Sequence, residues 1–428
     1  MIPIRKLFAF FFCVFLCISL AGCRSAESID SLLSAPSLTK EQSSVLQALS
    51  RAHAGNTTFV FPSTGSNRSA VRQLDIDNDG DEEAIAFFRD TDSGINARVA
   101  VLEPDGKGNY YISSELEGPG DGIASFSLIR DSRSHTVLLI EWSSPSLPFN
   151  SFAAYLYESE NLELGMEENC TDLILFDFDS DGEQEFCYTT RLSQDEGYAI
   201  KAVKLDDESL RTIAVRRLSR SVSGIKNMTD GILEDGTHAI FVDEITTSGL
   251  QTEILSYGSG SLEDAAFGEG FDILSLTQRP DSDYLTSRRL GKRTCVPSSV
   301  PPSVDISSPD SFMYWYTVNA GNVILAEVSY VSTSLGICLC LPSEWMSSCT
   351  LREKTDGAYA MTVYDSDNKD LLTLLVLNVS DDATSYTSEG FTLVGNTASS
   401  RFYCRFNCSD EESEYIRNNF AILRLGET

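Results

Sequence analysis

The sequence predicts a mainly β protein. It consists of about five propeller-like units of ~50 residues with acidic loops, followed by a smaller α+β domain. Three observations predict this. Apolar residues alternate at period two from about residue 57 onward, in short runs rich in Val, Ile, Phe and Tyr separated by Gly, Asp and Ser clusters. An acidic loop at Leu74–Ala84, LDIDNDGDEEA, returns at Leu175–Phe186 as LFDFDSDGEQEF. A Pro and Ser rich run at 298–309 then precedes a change of composition.

In chain order, residues 1–22 read as a leader, with Arg5 and Lys6 ahead of an apolar run, Leu7–Leu20, too short for a comfortable membrane span. The leader closes on Leu20, Ala21, Gly22 and Cys23, which resembles the lipobox of bacterial lipoproteins. That resemblance implies lipidation of Cys23 and an extracytoplasmic chain held to the membrane by lipid alone. Residues 23–38 are Ser and Ala rich with few large apolar groups, the composition of a tether. Thr39–Ala54 then predicts a helix. Thr39 and Gln42 form a capping-box pattern, and Val45, Leu46, Leu49 and Ala52 share one face.

The chain carries 32 Lys plus Arg against 63 Asp plus Glu, a formal net charge of −31, which loss of Arg5 and Lys6 with the leader makes more negative. Such a charge excludes nucleic acid as a favourable partner and keeps the body away from anionic lipid. Beyond Cys23 stand Cys170, Cys187, Cys295, Cys338, Cys340, Cys349, Cys404 and Cys408. An exported chain permits disulfides among them, and Cys170 with Cys187 is the first pair to test because they flank the second acidic loop.

The repeat domain is placed at 39–297. Asp75 and Asp177 lie about two periods of ~50 residues apart, so a copy is expected between them. Ile123–Trp142 keeps the order strand, polar loop, strand with most carboxylates gone. Further copies are expected at Ile225–Glu244, where Asp230, Asp235 and Gly236 remain, and at Tyr284–Pro297, where Arg288, Arg289, Lys292 and Arg293 occupy the loop. Basic side chains there could hold by hydrogen bonding what a cation holds elsewhere. The run at 298–309 predicts a linker, and 310–428 the α+β domain. Strands are expected within Phe312–Ser332 and at Gly336–Leu341, Ala358–Tyr364, Leu371–Leu377, Phe391–Val394 and Ser400–Phe406. These would form one sheet crossed by a C-terminal helix over Ser409–Leu423, whose first turn is acidic. The run Leu339–Trp345, LCLPSEW, resembles the LPxxW edge of PsbP-like and Mog1-like domains, a pointer to fold only.

Carboxylates at every second position followed by glycine are what a hard cation needs from a short loop: converging anionic oxygens and a residue that tolerates the turn. An EF-hand is excluded, since no helical periodicity flanks either loop and position twelve holds Ala86 and Tyr188. DxDxDG followed by an acid three places on, bracketed by apolar strands at this period, resembles the FG-GAP/VCBS repeats of integrin-type β-propellers. With the lipobox, the chain is similar to VCBS-repeat lipoproteins of Firmicutes. The resemblance covers about residues 60–297. It implies two structural calcium sites, with ligands at Asp75, Asp77, Asp79, the carbonyl of Asp81, and Glu83. The second set is Asp177, Asp179, Asp181, the carbonyl of Glu183, and Glu185.

No GxSxG, HExxH, P-loop or helix-opening GxGxxG is present. Glu141 and Glu244 are the carboxylates that could flank a cleft, and Tyr314–Tyr316 is an aromatic run that could line a groove. A lipid-anchored calcium-binding protein at the cell envelope is the reading that follows: a monomeric binding or scaffolding module for an envelope protein or glycan. The alternative is an extracytoplasmic hydrolase of polysaccharide or peptidoglycan using acids in a blade cleft, the two carboxyls ~5–10 Å apart.

Overall fold

The computed structural model describes residues 39–423, apart from 54–55, 93, 148, 194–195, 207, 267–272, 291, 300–311, 346–348 and 355–357. The leader, Cys23 and the tether lie outside the described residues. The protein is mainly β and propeller-like: among the described residues six antiparallel sheets follow one another along the chain. Among the described residues no helix is long and apolar enough to cross a membrane.

Helix α1 (Lys40–Ala52) opens the described chain, with the expected capping box: Thr39 accepts from the Gln42 amide and Gln42 reaches back to Thr39. Its buried residues are Val45, Ala48 and Leu49, which cover the outer face of sheet 1. Sheet 1 contains β1 (Thr57–Phe59), β2 (Val71–Leu74), β3 (Glu83–Asp90), β4 (Arg98–Pro104) and β5 (Tyr110–Glu117). Sheet 2 is the meander β6 (Gly122–Arg130), β7 (Thr136–Ser143), β8 (Asn150–Glu158), β9 (Asn161–Cys170). Sheet 3 repeats it with β10 (Asp172–Phe176), β11 (Glu185–Arg191), β12 (Tyr198–Asp206) and β13 (Ser209–Arg217). Sheet 4 does so with β14 (Gly224–Ile232), β15 (His238–Thr246), β16 (Gly249–Gly258) and β17 (Ser261–Asp264). Two of the three units expected to have lost their acids are thus whole sheets, entered through β6–β7 and β14–β15.

Consecutive sheets share cores. Phe87 of sheet 1 meets Phe126 and Trp142 of sheet 2. Phe152 of sheet 2 meets Phe186 and Tyr188 of sheet 3, and Ile200 of sheet 3 meets Val242 and Leu255 of sheet 4. A sheet between two neighbours buries both faces, so β11 and β15 are enclosed on both sides over most of their length. Clean alternation survives only on outer strands. Cys170 and Cys187 lie on opposite sides of sheet 3, in different cores, and the cysteines from Cys170 to Cys408 are free thiols, so the tested pair does not form.

The last stretch departs from expectation in several ways. The hairpin β18 (Arg288–Leu290) and β19 (Arg293–Ser298) is no separate sheet. It is the edge of sheet 5, which continues through β20 (Phe312–Asn319), β21 (Asn322–Ser332), β22 (Ile337–Leu341) and β28 (Phe420–Ile422). The proline-rich run lies almost wholly outside the described residues, and the strands before and after it are neighbours: Val296 pairs with Tyr316 and Ser298 with Tyr314. Two sheets stand where one was expected, and they bury one apolar core between them. Sheet 6 comprises β23 (Thr350–Lys354), β24 (Tyr359–Tyr364), β25 (Asp370–Asn378), β26 (Thr392–Asn396) and β27 (Ser400–Phe406). It packs on sheet 5 through Tyr314, Tyr330, Met361, Leu374 and Phe402. Its far face is covered by Phe391, with Tyr386 from the short helix α2 (Thr384–Ser388). The terminal helix α3 (Asp410–Asn418) starts at Ser409 with a capping box to Glu412. It ends sooner than expected, because Phe420–Ile422 instead add an edge strand against Ile337–Leu339. Trp345 of the LCLPSEW run is buried and donates its indole N–H to Glu412 at 2.8 Å.

Residues 277–287 are held to sheet 4 by a buried ion pair. The Arg279 guanidinium donates to Asp243 Oδ1 at 2.6 Å, and both side chains are fully enclosed. Asp243 also accepts from the Ser287 amide at 2.6 Å and from the Thr252 hydroxyl at 2.7 Å, while Arg279 donates to the Leu285 and Thr277 carbonyls. Removing one charge strands the other, so Asp243→Asn is expected to cost about 3–5 kcal/mol in urea unfolding. Glu244 gives a pH signature. Burial first, opposed by the Gln251 amide, pushes its carboxyl from 4.5 up to about 8. Over that window the folded state holds a proton that the unfolded state releases, so stability falls as pH rises. Glu244→Gln should match the parent's melting temperature near pH 4.5 and exceed it near pH 8.

Candidate metal centre

Each acidic loop joins the first two long strands of its sheet, and the two have the same backbone. Asn78 and Ser180 have φ of 65° and 62°, and Gly80 and Gly182 have φ of 99° and 91°. The left-handed positions turn the chain so that alternate carboxylates face inward, and glycine takes the second of them without strain. The next strand's first residue completes the group. Glu83 at the start of β3 and Glu185 at the start of β11 are buried, and each accepts from a loop amide, Ile76 at 2.6 Å and Phe178 at 3.2 Å.

One carboxylate oxygen each from Asp75, Asp77 and Glu83 lies within 4.8 Å of the other two, and Asp177, Asp179 and Glu185 do the same. The Asp79 and Asp181 carboxylates lie outside these side-chain clusters. Asp79 accepts from the Asp81 amide at 2.8 Å, which closes the first loop on itself. Asp181 bonds to Lys204, and the Glu183 carboxylate accepts from the Ser132 amide at 2.8 Å, reaching into sheet 2.

The surroundings of the two clusters differ in sign. Ala84 pairs with Leu102, which makes Glu103 the next residue of β4 toward Glu83; Phe186 pairs with Val203, which puts Lys204 in the equivalent place on β12. Glu103 adds a fourth carboxyl. It accepts from the Tyr157 hydroxyl at 2.7 Å, burial raises its pKa, and Asp77 adds to that rise. Glu83 is itself raised to about 7, by burial first and then by the charges of Glu103 and Asp77. Asp75 Oδ1 is buried without a hydrogen-bond partner. No salt bridge reaches the first cluster among the described residues. This donor set of hard oxygens, whose nearest base, Arg130, donates to the Asp75 carbonyl rather than to a carboxylate, and which keeps an orphaned lone pair, fits a divalent cation such as calcium.

The second cluster already contains a cation. The Lys204 ammonium lies 3.0 Å from Asp179 and 3.1 Å from Glu185, and also pairs with Asp181. Burial opposes its charge, but the bonds to Asp181, Asp179 and Glu185 outweigh that and hold its pKa above the ordinary lysine value. Glu185 is still raised to about 7 by burial. The lysine is the functional residue that sequence reasoning missed. Register alone could have found it, since Lys204 sits one residue past the partner of Phe186.

The remaining candidates are structural. Glu141 is half-buried and accepts from Ser125 at 3.1 Å and Asn150 at 2.7 Å, and Glu244 is buried and accepts from Gln251 at 2.7 Å. Tyr314 and Tyr316 enter the core between sheets 5 and 6, and Trp315 the opposite one. His53 bridges Asp90 and Glu115, while His135 bonds Asp131.

No family model matches the chain, and no curated protein matches it. Solved structures do. An exo-β-1,3-galactanase from Phanerochaete chrysosporium is 11% identical over 76% of this chain and 82% of its own, with a TM-score of 0.28. The exotype rhamnogalacturonan lyase YesX is 9% identical over 83% and 86%, with a TM-score of 0.32. TolB from Acinetobacter baumannii is 12% identical over 64% and 58%, with a TM-score of 0.23. At such scores the likeness carries no argument about activity.

The two loops should separate in a calcium titration. The parent is expected to bind a single calcium ion strongly by isothermal titration calorimetry. Lys204→Met removes the internal cation and should add a second strong site, with a lower melting temperature in calcium-free buffer that calcium restores. Two equal sites in the parent would contradict the assignment.

Proposed function

We propose that the chain is a lipid-anchored, calcium-braced binding or scaffolding protein of the cell envelope, related to the FG-GAP/VCBS-repeat lipoproteins. The observation that carries the calcium part is the first cluster: Asp75, Asp77 and Glu83 converge, Asp75 Oδ1 has no hydrogen-bond partner, and no salt bridge reaches these carboxylates among the described residues. A divalent ion there compensates Glu83 and Glu103 and ties β2, β3 and β4 together at one edge of sheet 1.

The ion's task is bracing. Loops at the same edge reach the same end by other means: Asp131 accepts from its own loop's Arg133 and His135 amides, and Asp235 accepts from the Thr237 and Ala320 amides. A group that reacted with substrate could not be replaced by such hydrogen bonds. The charged and apolar leader ending at Cys23 supports a lipid anchor outside the cytoplasmic membrane.

Chelation tests the brace. At free calcium a hundredfold above the dissociation constant, an ion bound only to the native state adds about 2.7 kcal/mol, so EDTA should lower the melting temperature by several degrees. Asp75→Asn with Glu83→Gln should abolish that response. A parent protein that melts at the same temperature with and without calcium would remove the metal from this reading. Recovery of a defined envelope protein or glycan by the anchored chain, in calcium and not in EDTA, tests the binding role.

A further inference from the structure

In a chain of net charge −31, the β18–β19 hairpin gathers Arg288, Arg289, Lys292 and Arg293 at one turn. The hairpin borders two hollows. A cavity of about 530 Å³ opens on one side, where the four bases face Glu327 and the Asn418–Asn419 amides. A second, of about 380 Å³, lies between the hairpin and Asp230–Ile232 of sheet 4. Arg288, Arg289 and Lys292 line both.

Two of the four bases are uncommitted. Arg293 pairs with Glu234 at 3.1 Å, which ties the hairpin to sheet 4. Arg289 and Lys292 are exposed and make no salt bridge among the described residues, although acids outnumber bases about two to one in the sequence. Arg288 is mostly buried. Its guanidinium lies over the Trp315 ring at 4.9 Å from the centroid and donates to the Tyr284 carbonyl, while its Nε is enclosed without a hydrogen-bond partner. A guanidinium costs free energy to bury, and this one brings its positive charge to the wall of both cavities. The Trp315 ring fixes its plane.

We propose that this hairpin is an anion-binding site for a hydroxylated small molecule carrying an oxyanion, either a sugar acid or a sugar phosphate. Guanidinium and ammonium groups provide charge-assisted hydrogen bonds to carboxylate or phosphate oxygens. The larger cavity is of a size to take a small ligand, and its far wall offers the Asn418 and Asn419 amides and the Glu327 carboxyl to hydroxyl groups. This site shares no residue with the metal centre and does not rest on the calcium reading.

The test uses the described protein with calcium present, titrated by calorimetry with galacturonate, glucose 6-phosphate, inorganic phosphate and neutral glucose. Galacturonate or glucose 6-phosphate should bind and glucose should not, with the better of the two naming the oxyanion. Arg289→Gln with Lys292→Gln, both exposed and free of packing, should weaken binding at least tenfold and reduce its salt dependence. Arg220→Gln, an exposed base elsewhere, should change nothing. Failure of both charged sugars to bind the parent would overturn the proposal, as would glucose binding equally well or full affinity in the double variant. Inorganic phosphate binding as tightly as glucose 6-phosphate would remove the hydroxylated body from it.

Discussion

The structure depends on burying both faces of its central strands. β11 and β15 present a continuous buried run to two neighbouring sheets at once, so each sheet is both floor and roof. Such a stack gains its stability from apolar contact between layers and can neither begin nor end without a cover. At one end α1 lays Val45 and Leu49 on sheet 1; at the other, Tyr386 and Phe391 close sheet 6. With the layers full, polar chemistry is confined to the edges where hairpins turn.

At one edge the turns meet. Arg130 and Thr136 of sheet 2 donate to the Asp75 and Ile76 carbonyls of sheet 1, and the Ser132 amide donates to Glu183 of sheet 3. His238 of sheet 4 contacts the Asp177 carbonyl, and the Ala320 amide of sheet 5 donates to Asp235 of sheet 4. Every turn must direct its own amides inward and satisfy the next, and the repeats solve this with different chemistry. A single aspartate suffices at Asp131 and Asp235, Lys204 serves the third sheet, and an excess of carboxylate marks the first. Conserved backbone and variable charge follow from one cause: the stack fixes where the turn sits, while the turn's neutralisation is a local matter.

Much of this was legible in the sequence. The capping boxes at Thr39 and Ser409 are local hydrogen bonds between residues three apart, so both helices were readable where they begin. The unit period was readable because Asp75 and Asp177 occupy the same turn. Three features were not. The end of α3 is decided by an edge of β22 that waits for Phe420–Ile422, a contact far away in sequence. Sheets 5 and 6 merged into one in the reading because apolar runs do not say which layer they join. Lys204 escaped because its partner acids lie about twenty residues back, and only strand register brings them together.

The same logic locates the surface on which a partner can act. A turn whose charges are spent on the neighbouring turn has nothing left to offer, and that describes the loops from Asp131 to Asp235. The β18–β19 hairpin differs because it lies at an edge of sheet 5, with only Arg293 drawn into the stack through Glu234. Arg289 and Lys292 stay unneutralised amid a large acidic excess. A positive group in that setting is not needed for solubility, which the acids already secure, nor for packing, since it touches no core. Charge that neither folds the chain nor keeps it dissolved is charge available for recognition.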